Sequence, residues 1–205
     1  MNKSFTNCLR AVFFSLMLLV TSVGFAQQSC PGFKTFTQGG WGSTPQGNNP
    51  GTFLQNNFAT AFPSGLEIGC TNKLRLTSWS AVVNFLPSGS TARALSSGTL
   101  VDPGQSYKNV LAGQLVAATI NVRMDSIFAN FAPSSGKLGN LIIASGPFSG
   151  WSVNMLIAEA NRAIGGCGST YSFSAINNAL NLFNTNFDSG ELFKSTSSTC
   201  NIEDV

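Results

Sequence analysis

The chain has 205 residues with 11 basic and 8 acidic side chains and no histidine. Charged residues make up 9%, against roughly 25% in an ordinary soluble domain, while Ser, Asn, Thr and Gln fill 69 positions. This excludes metal sites and acid–base machinery built on imidazole, and a net charge of +3 with no basic run offers little to neutralise a nucleic-acid backbone.

The first thirty residues read as an export signal. Lys3 and Arg10 supply the positive end, Ala11 to Val20 the apolar stretch, and Gly24-Phe25-Ala26 the small-x-small cleavage pattern. The apolar run is broken by Thr21, Ser22 and Gly24, short of the roughly 20 residues that span a bilayer. The expectation is a signal peptide over 1–26 and no transmembrane segment after cleavage. A single extracellular domain then covers 27–205, with a short polar tail over 195–205. Localisation is expected to be secreted, extracellular or cell-surface, the periplasm being the other compartment that export reaches. Removing 1–26 leaves nine bases against eight acids, a net charge of about +1.

Four cysteines remain after the cut: Cys30, Cys70, Cys167 and Cys200. An even count in an exported chain reads as two disulfides, with three connectivities open. The wide spacing does not fit a four-thiolate zinc site, which uses closely spaced cysteine pairs.

From Cys30 to Pro50 the chain is punctuated by Gly, Pro and Asn and reads as loop carrying Trp41. Asn49-Pro50 then looks like an N-cap followed by proline at the first helical position, and Leu54, Phe58, Ala61 and Phe62 give a short amphipathic helix ending at Pro63. Alternating Leu66, Ile68, Leu74 and Leu76 around Thr71-Asn72 predict a β-hairpin over about 66–76. Ser78 opens a helix with Trp79, Val82, Val83 and Leu86 on its apolar side, stopped by Pro87. Asp102, Pro103 and Gln105 resemble a capped helix start, so the central buried helix is expected over about 103–123, apolar nearly all round. Leu138 to Ile143 is a short apolar run, strand or helical turn. Ser152 and Ser172 cap the last two helices, the first ended by Gly165-Gly166. The expected fold is mainly α: about five helices packed around the central one with one small hairpin, stabilised by disulfides.

No catalytic constellation, cofactor motif or metal site emerges. Glu159 is the acid inside a helix body, with Arg162 at i+3 as an ordinary surface pair. Three tryptophans are candidate ligand-binding residues: Trp41 in the glycine-rich loop, Trp79 at a helix start, and Trp151 before a helix cap. Together they would form a platform for sugar rings. The competing reading places each indole on the core with its N–H on a carbonyl.

Several stretches carry a resemblance. They are Phe36-Thr37-Gln38-Gly39-Gly40-Trp41-Gly42; Phe85-Leu86-Pro87-Ser88-Gly89; Leu111 through Val122; Gly146-Pro147-Phe148-Ser149-Gly150; and Asn161-Arg162-Ala163-Ile164-Gly165-Gly166-Cys167. In these the chain resembles a module of secreted and surface proteins of Bacteroidota and other environmental bacteria. The resemblance implies export and surface association and assigns no active residues. Asp125-Ser126-Ile127 is similar to the O-glycosylation acceptor of those bacteria, which makes Ser126 a candidate modification site. The resulting expectation is a non-enzymatic extracellular or cell-surface interaction module, adhesive or structural, with a protein or neutral glycan partner and no nucleic acid. The alternative is a carbohydrate-binding or carbohydrate-active protein using its exposed tryptophans.

Overall fold

A computed structural model describes residues 32–189. The helices are α1 (Gln38–Trp41), α2 (Pro50–Ala61), α3 (Trp79–Phe85), α4 (Val110–Ile127), α5 (Val153–Ile164) and α6 (Phe173–Asn186), and the strands are β1 (Leu66–Gly69), β2 (Lys73–Leu76) and β3 (Thr99–Val101). The protein is mainly α with a small sheet.

Side-chain caps set most helix starts. The Asn49, Ser78, Ser152 and Ser172 side chains accept from the backbone N–H groups of Thr52, Ala81, Met155 and Ala175, satisfying donors that a first helical turn leaves open. At two places the local signals mislead. The segment after Cys30 contains α1, a single turn capped by Thr37. The central helix begins at Val110, capped by Asn109, instead of near 103. Asp102 is no cap: its carboxylate accepts from the Thr77 N–H and hydroxyl across the sheet. Pro103 precedes a 3₁₀ turn over Gly104–Ser106, and the Gln105 amide donates to the carbonyls of Asn84 and Phe85 at the end of α3.

β1 and β2 form the expected antiparallel hairpin, with Leu66 opposite Leu76 and Ile68 opposite Leu74. β3 adds in parallel to β2, placing Leu100 beside Leu74. The Leu138–Ile143 run divides between its two readings: Leu138–Asn140 is a 3₁₀ turn, and Ile142 makes an isolated bridge to Ser152.

α4 is the core helix. Leu111, Leu115, Val116, Ala118, Ile120 and Met124 are all fully buried, and α6, α5, α2 and α1 pack around it. Polar residues on α4 are bonded across to neighbours. Asn121 Nδ2 donates to Asn184 Oδ1 at 3.0 Å, and Asn184 Nδ2 donates to Gln114 Oε1 at 2.8 Å. A chain of amides thus ties α4 to α6 inside an apolar core, where a polar group left unbonded is costly.

A Cys70–Cys167 disulfide joins the hairpin turn to the segment after α5. It excludes both connectivities that would pair either residue with Cys30 or Cys200, which lie outside the described residues. Hydrogen bonds reinforce the junction. Gly69 N donates to Asn161 Oδ1 at 2.7 Å, Asn72 N to Gly165 O at 2.9 Å, and Leu95 N to Ile164 O at 2.8 Å. Gly165 is required here, since a Cβ on it would lie 2.0 Å from Cys70 N.

Candidate functional site

The three tryptophans do not form one platform. Trp41 has no exposed surface; its indole stacks on Phe131 with ring centroids 5.9 Å apart, and its Nε1–H donates to Asn121 Oδ1 at 3.0 Å. The structure therefore withdraws Trp41 as a ligand-binding residue. Trp79 is half-buried at the first position of α3 and packs against the core. Trp151 is half-buried too, but it belongs to a surface feature.

Trp151 sits at the end of a tight loop. Gly150 N donates to Ile143 O at 2.8 Å, Ile143 N to Trp151 O at 2.9 Å, and Trp151 N to Phe148 O at 2.9 Å. Gly150 takes φ +84°, a left-handed conformation that costs glycine little. The ring meets Phe148 and Tyr171 at centroid distances of 5.4 Å each, both edge-on, and Phe148 lies 4.5 Å from Tyr171. Tyr171 is fixed in turn by Ser169, whose hydroxyl accepts from Tyr171 N at 3.0 Å. Phe148 is buried, and the half-buried Trp151 and Tyr171 rings seated on it form a ridge between the loop before α5 and the loop before α6.

A recess lies on either side of this ridge. One, of about 420 Å³, is lined by Trp151, Glu159, Arg162, Ser169, Thr170 and Tyr171. The other, of about 350 Å³, runs from Phe148 and Ser145 to Ser172, Ser174 and Asn178 of α6. Both volumes fall in the range of small-ligand clefts. The first is lined by two aromatic rings, two hydroxyls and one ion pair, Arg162 to Glu159 at 3.5 Å; the second adds the aliphatic side chains of Ile143, Pro147, Ala179 and Leu182 to its serines and Asn178. That pair differs from the ordinary surface pair expected: the Glu159 side chain is only 10% exposed while Arg162 is 59% exposed. Glu159 thus anchors a guanidinium at the rim. The Trp151 indole N–H and the Tyr171 hydroxyl have no hydrogen-bond partner among the described residues.

Phe148 and Tyr171 had no sequence signal beyond their positions beside glycine- and serine-rich loops. Ser126 is exposed near the end of α4, where its hydroxyl donates to Arg123 O at 2.8 Å; the neighbouring Asp125 is buried. Among the described residues no group of three Cys, Asp or Glu could hold a metal ion, and no helix is long and apolar enough to cross a membrane. No protein-family model, no curated protein and no solved structure matches the chain.

Proposed function

We propose that the protein is an exported, non-catalytic interaction module that meets its partner on the Trp151–Tyr171 ridge, which the buried Phe148 supports from beneath, and that the partner is a neutral glycan. The observation that carries this reading is the ridge itself: two partly exposed aromatic rings whose indole N–H and phenol have no hydrogen-bond partner among the described residues, flanked by two recesses that carry serine and threonine hydroxyls. An aromatic face covers the C–H face of a sugar ring, and the polar rim takes its hydroxyls. A near-neutral chain suits a partner that needs no electrostatic steering. The recess beside Trp151 holds a single carboxylate, Glu159, already paired with Arg162, whereas glycoside hydrolysis ordinarily uses two. The partly exposed disulfide fits an oxidising compartment, and the resemblance to secreted bacterial modules points the same way.

A glycan array tests the reading. Neutral oligosaccharides should be retained by the wild type and lost on Trp151→Ala, with Tyr171→Phe intermediate and Trp79→Phe unchanged. Truncating a central aromatic should weaken binding about 30-fold, equivalent to about 2 kcal/mol. Binding that survives Trp151→Ala in a folded protein would remove the ridge from the account.

A further inference from the structure

A separate cavity of about 470 Å³ opens between α4, the Leu138–Asn140 turn and α5, with Val122, Arg123, Asp125, Lys137, Asn154 and Ile157 in its lining. It shares no residue with either recess of the ridge. Its floor is apolar on one side, from Val122 and Ile157, and its polar groups are unevenly satisfied. Asp125 has a side chain only 1% exposed. One carboxylate oxygen, Oδ2, accepts from Leu138 N at 2.8 Å. The other, Oδ1, is buried with no hydrogen-bond partner, and the nearest cation, Lys137 Nζ, stands 3.9 Å away. A buried carboxylate oxygen without a donor is costly for a native structure to keep.

Two cations reach the same cavity. Lys137 is half exposed and donates to the Asp125 backbone carbonyl at 2.6 Å. Arg123 uses Nε for Ala61 O at 2.9 Å, and its terminal nitrogens have no hydrogen-bond partner among the described residues. The Asn154 side chain lies over Gly139, so close that a Cβ there would come within 2.5 Å of its Oδ1; glycine at that position leaves room for the amide at the cavity wall.

We infer that this cavity is a second binding site, for a hydroxylated carboxylate of hexuronic-acid size. A ligand hydroxyl donates to Asp125 Oδ1, the ligand carboxylate lies between Lys137 and Arg123, and the C–H face of the ring rests on Val122 and Ile157. Lys137 has the freedom to turn from Asp125 toward the ligand carboxylate and open Oδ1 to the hydroxyl. Burial also holds the Asp125 carboxyl above the usual aspartate range, consistent with an oxygen that lacks a full set of donors.

Titration calorimetry of the whole protein with galacturonic acid, with galactose and the methyl ester of galacturonic acid as controls, tests this. Saturable binding of the acid is expected, at least tenfold tighter than either control. Lys137→Met should weaken it about tenfold or more, and Asp125→Asn, which keeps an acceptor for Leu138 N but places an amide in the carboxylate's position, should weaken it as well. Asn154→Ala, at an exposed position, provides a cavity variant that leaves the Asp125–Leu138 bond intact. Trp151→Ala should leave galacturonic acid binding unchanged, which separates this site from the ridge. Absence of saturable binding, equal binding of galactose, or full binding by a folded Lys137→Met protein would overturn the assignment.

Discussion

Trp41 and Asn121, eighty positions apart in sequence, are joined by a 3.0 Å hydrogen bond from the indole N–H to Oδ1 in the fully buried core. The same Oδ1 accepts from Phe36 N at 2.9 Å, while Asn121 Nδ2 donates to Phe36 O and to Asn184 Oδ1. One amide therefore fixes α1, its preceding strand-like segment and α6 onto α4. Asn121→Leu would strand two buried groups, Trp41 Nε1 and Asn184 Oδ1, and two part-buried ones on Phe36, and we expect a loss of at least about 3 kcal/mol, read by urea unfolding. Trp41→Phe keeps most of the ring packing and leaves Phe36 N on Oδ1, so its cost should be the smaller of the two. Equal stability of Asn121→Leu and wild type would remove the network's structural role.

The tryptophans should separate by solvent access. With Trp79 and Trp151 both replaced by Phe, the remaining emission comes from Trp41 and should be blue-shifted and poorly quenched by acrylamide. Restoring Trp151 should add a quenchable component that a bound oligosaccharide protects.

The Cys70–Cys167 bridge spans a sequence separation of 97. Replacing both cysteines by serine should lower stability by about 2–5 kcal/mol, mainly by releasing the unfolded chain, measured as a drop in Tm under non-reducing conditions. Gly165→Ala attacks the same junction from the native side. Its Cβ meets backbone of Cys70, which cannot move aside as a flexible side chain can, so a cost of about 2 kcal/mol or more is expected.

Asp125 sets a pH dependence. Burial raises its carboxyl above the ordinary value, more than the Leu138 N–H and Lys137 lower it. The native state then holds this proton at pH values where the unfolded chain has released it. Stability from this group is accordingly greatest below the unfolded value of about 4 and declines as pH rises through the folded one. Asp188, raised by burial as well, acts in the same direction. The difference in unfolding free energy between Asp125→Asn and wild type, followed from pH 3 to 7, should shift in favour of the variant as pH rises. A flat difference would show that Asp125 titrates alike in both states.

The mainly helical architecture was legible because its signals are local. Asn49-Pro50, Ser78, Ser152 and Ser172 each act within three residues, and the stripes through Leu54–Phe58 and Ile176–Leu180–Phe183 bury as their spacing implies. Asp102-Pro103 carries the same local signal as those caps and fails because a non-local partner wins: Thr77 presents an N–H and a hydroxyl to the carboxylate once β3 pairs with β2. Asn109, which does cap α4, is followed by no proline or acidic residue to mark it. The ridge was half visible. Trp151 stands out in sequence beside the Gly146–Gly150 loop, but its partners Phe148 and Tyr171 are brought to it by the packing of two loops, and the Asn121 side chain that holds Trp41 in the core lies eighty positions away. The pairing of Cys70 with Cys167 likewise depends on the hairpin landing on the end of α5.

That landing point has a consequence for when the protein becomes competent to bind. Cys167 lies between Arg162, at the rim of one recess, and Ser169, which fixes Tyr171. Closing the bridge anchors the segment that carries them, so on the proposed reading the redox event that stabilises the fold also finishes the binding surface. A copy that stays reduced would lack a properly set ridge, and recognition would then be confined to chains that have reached an oxidising compartment.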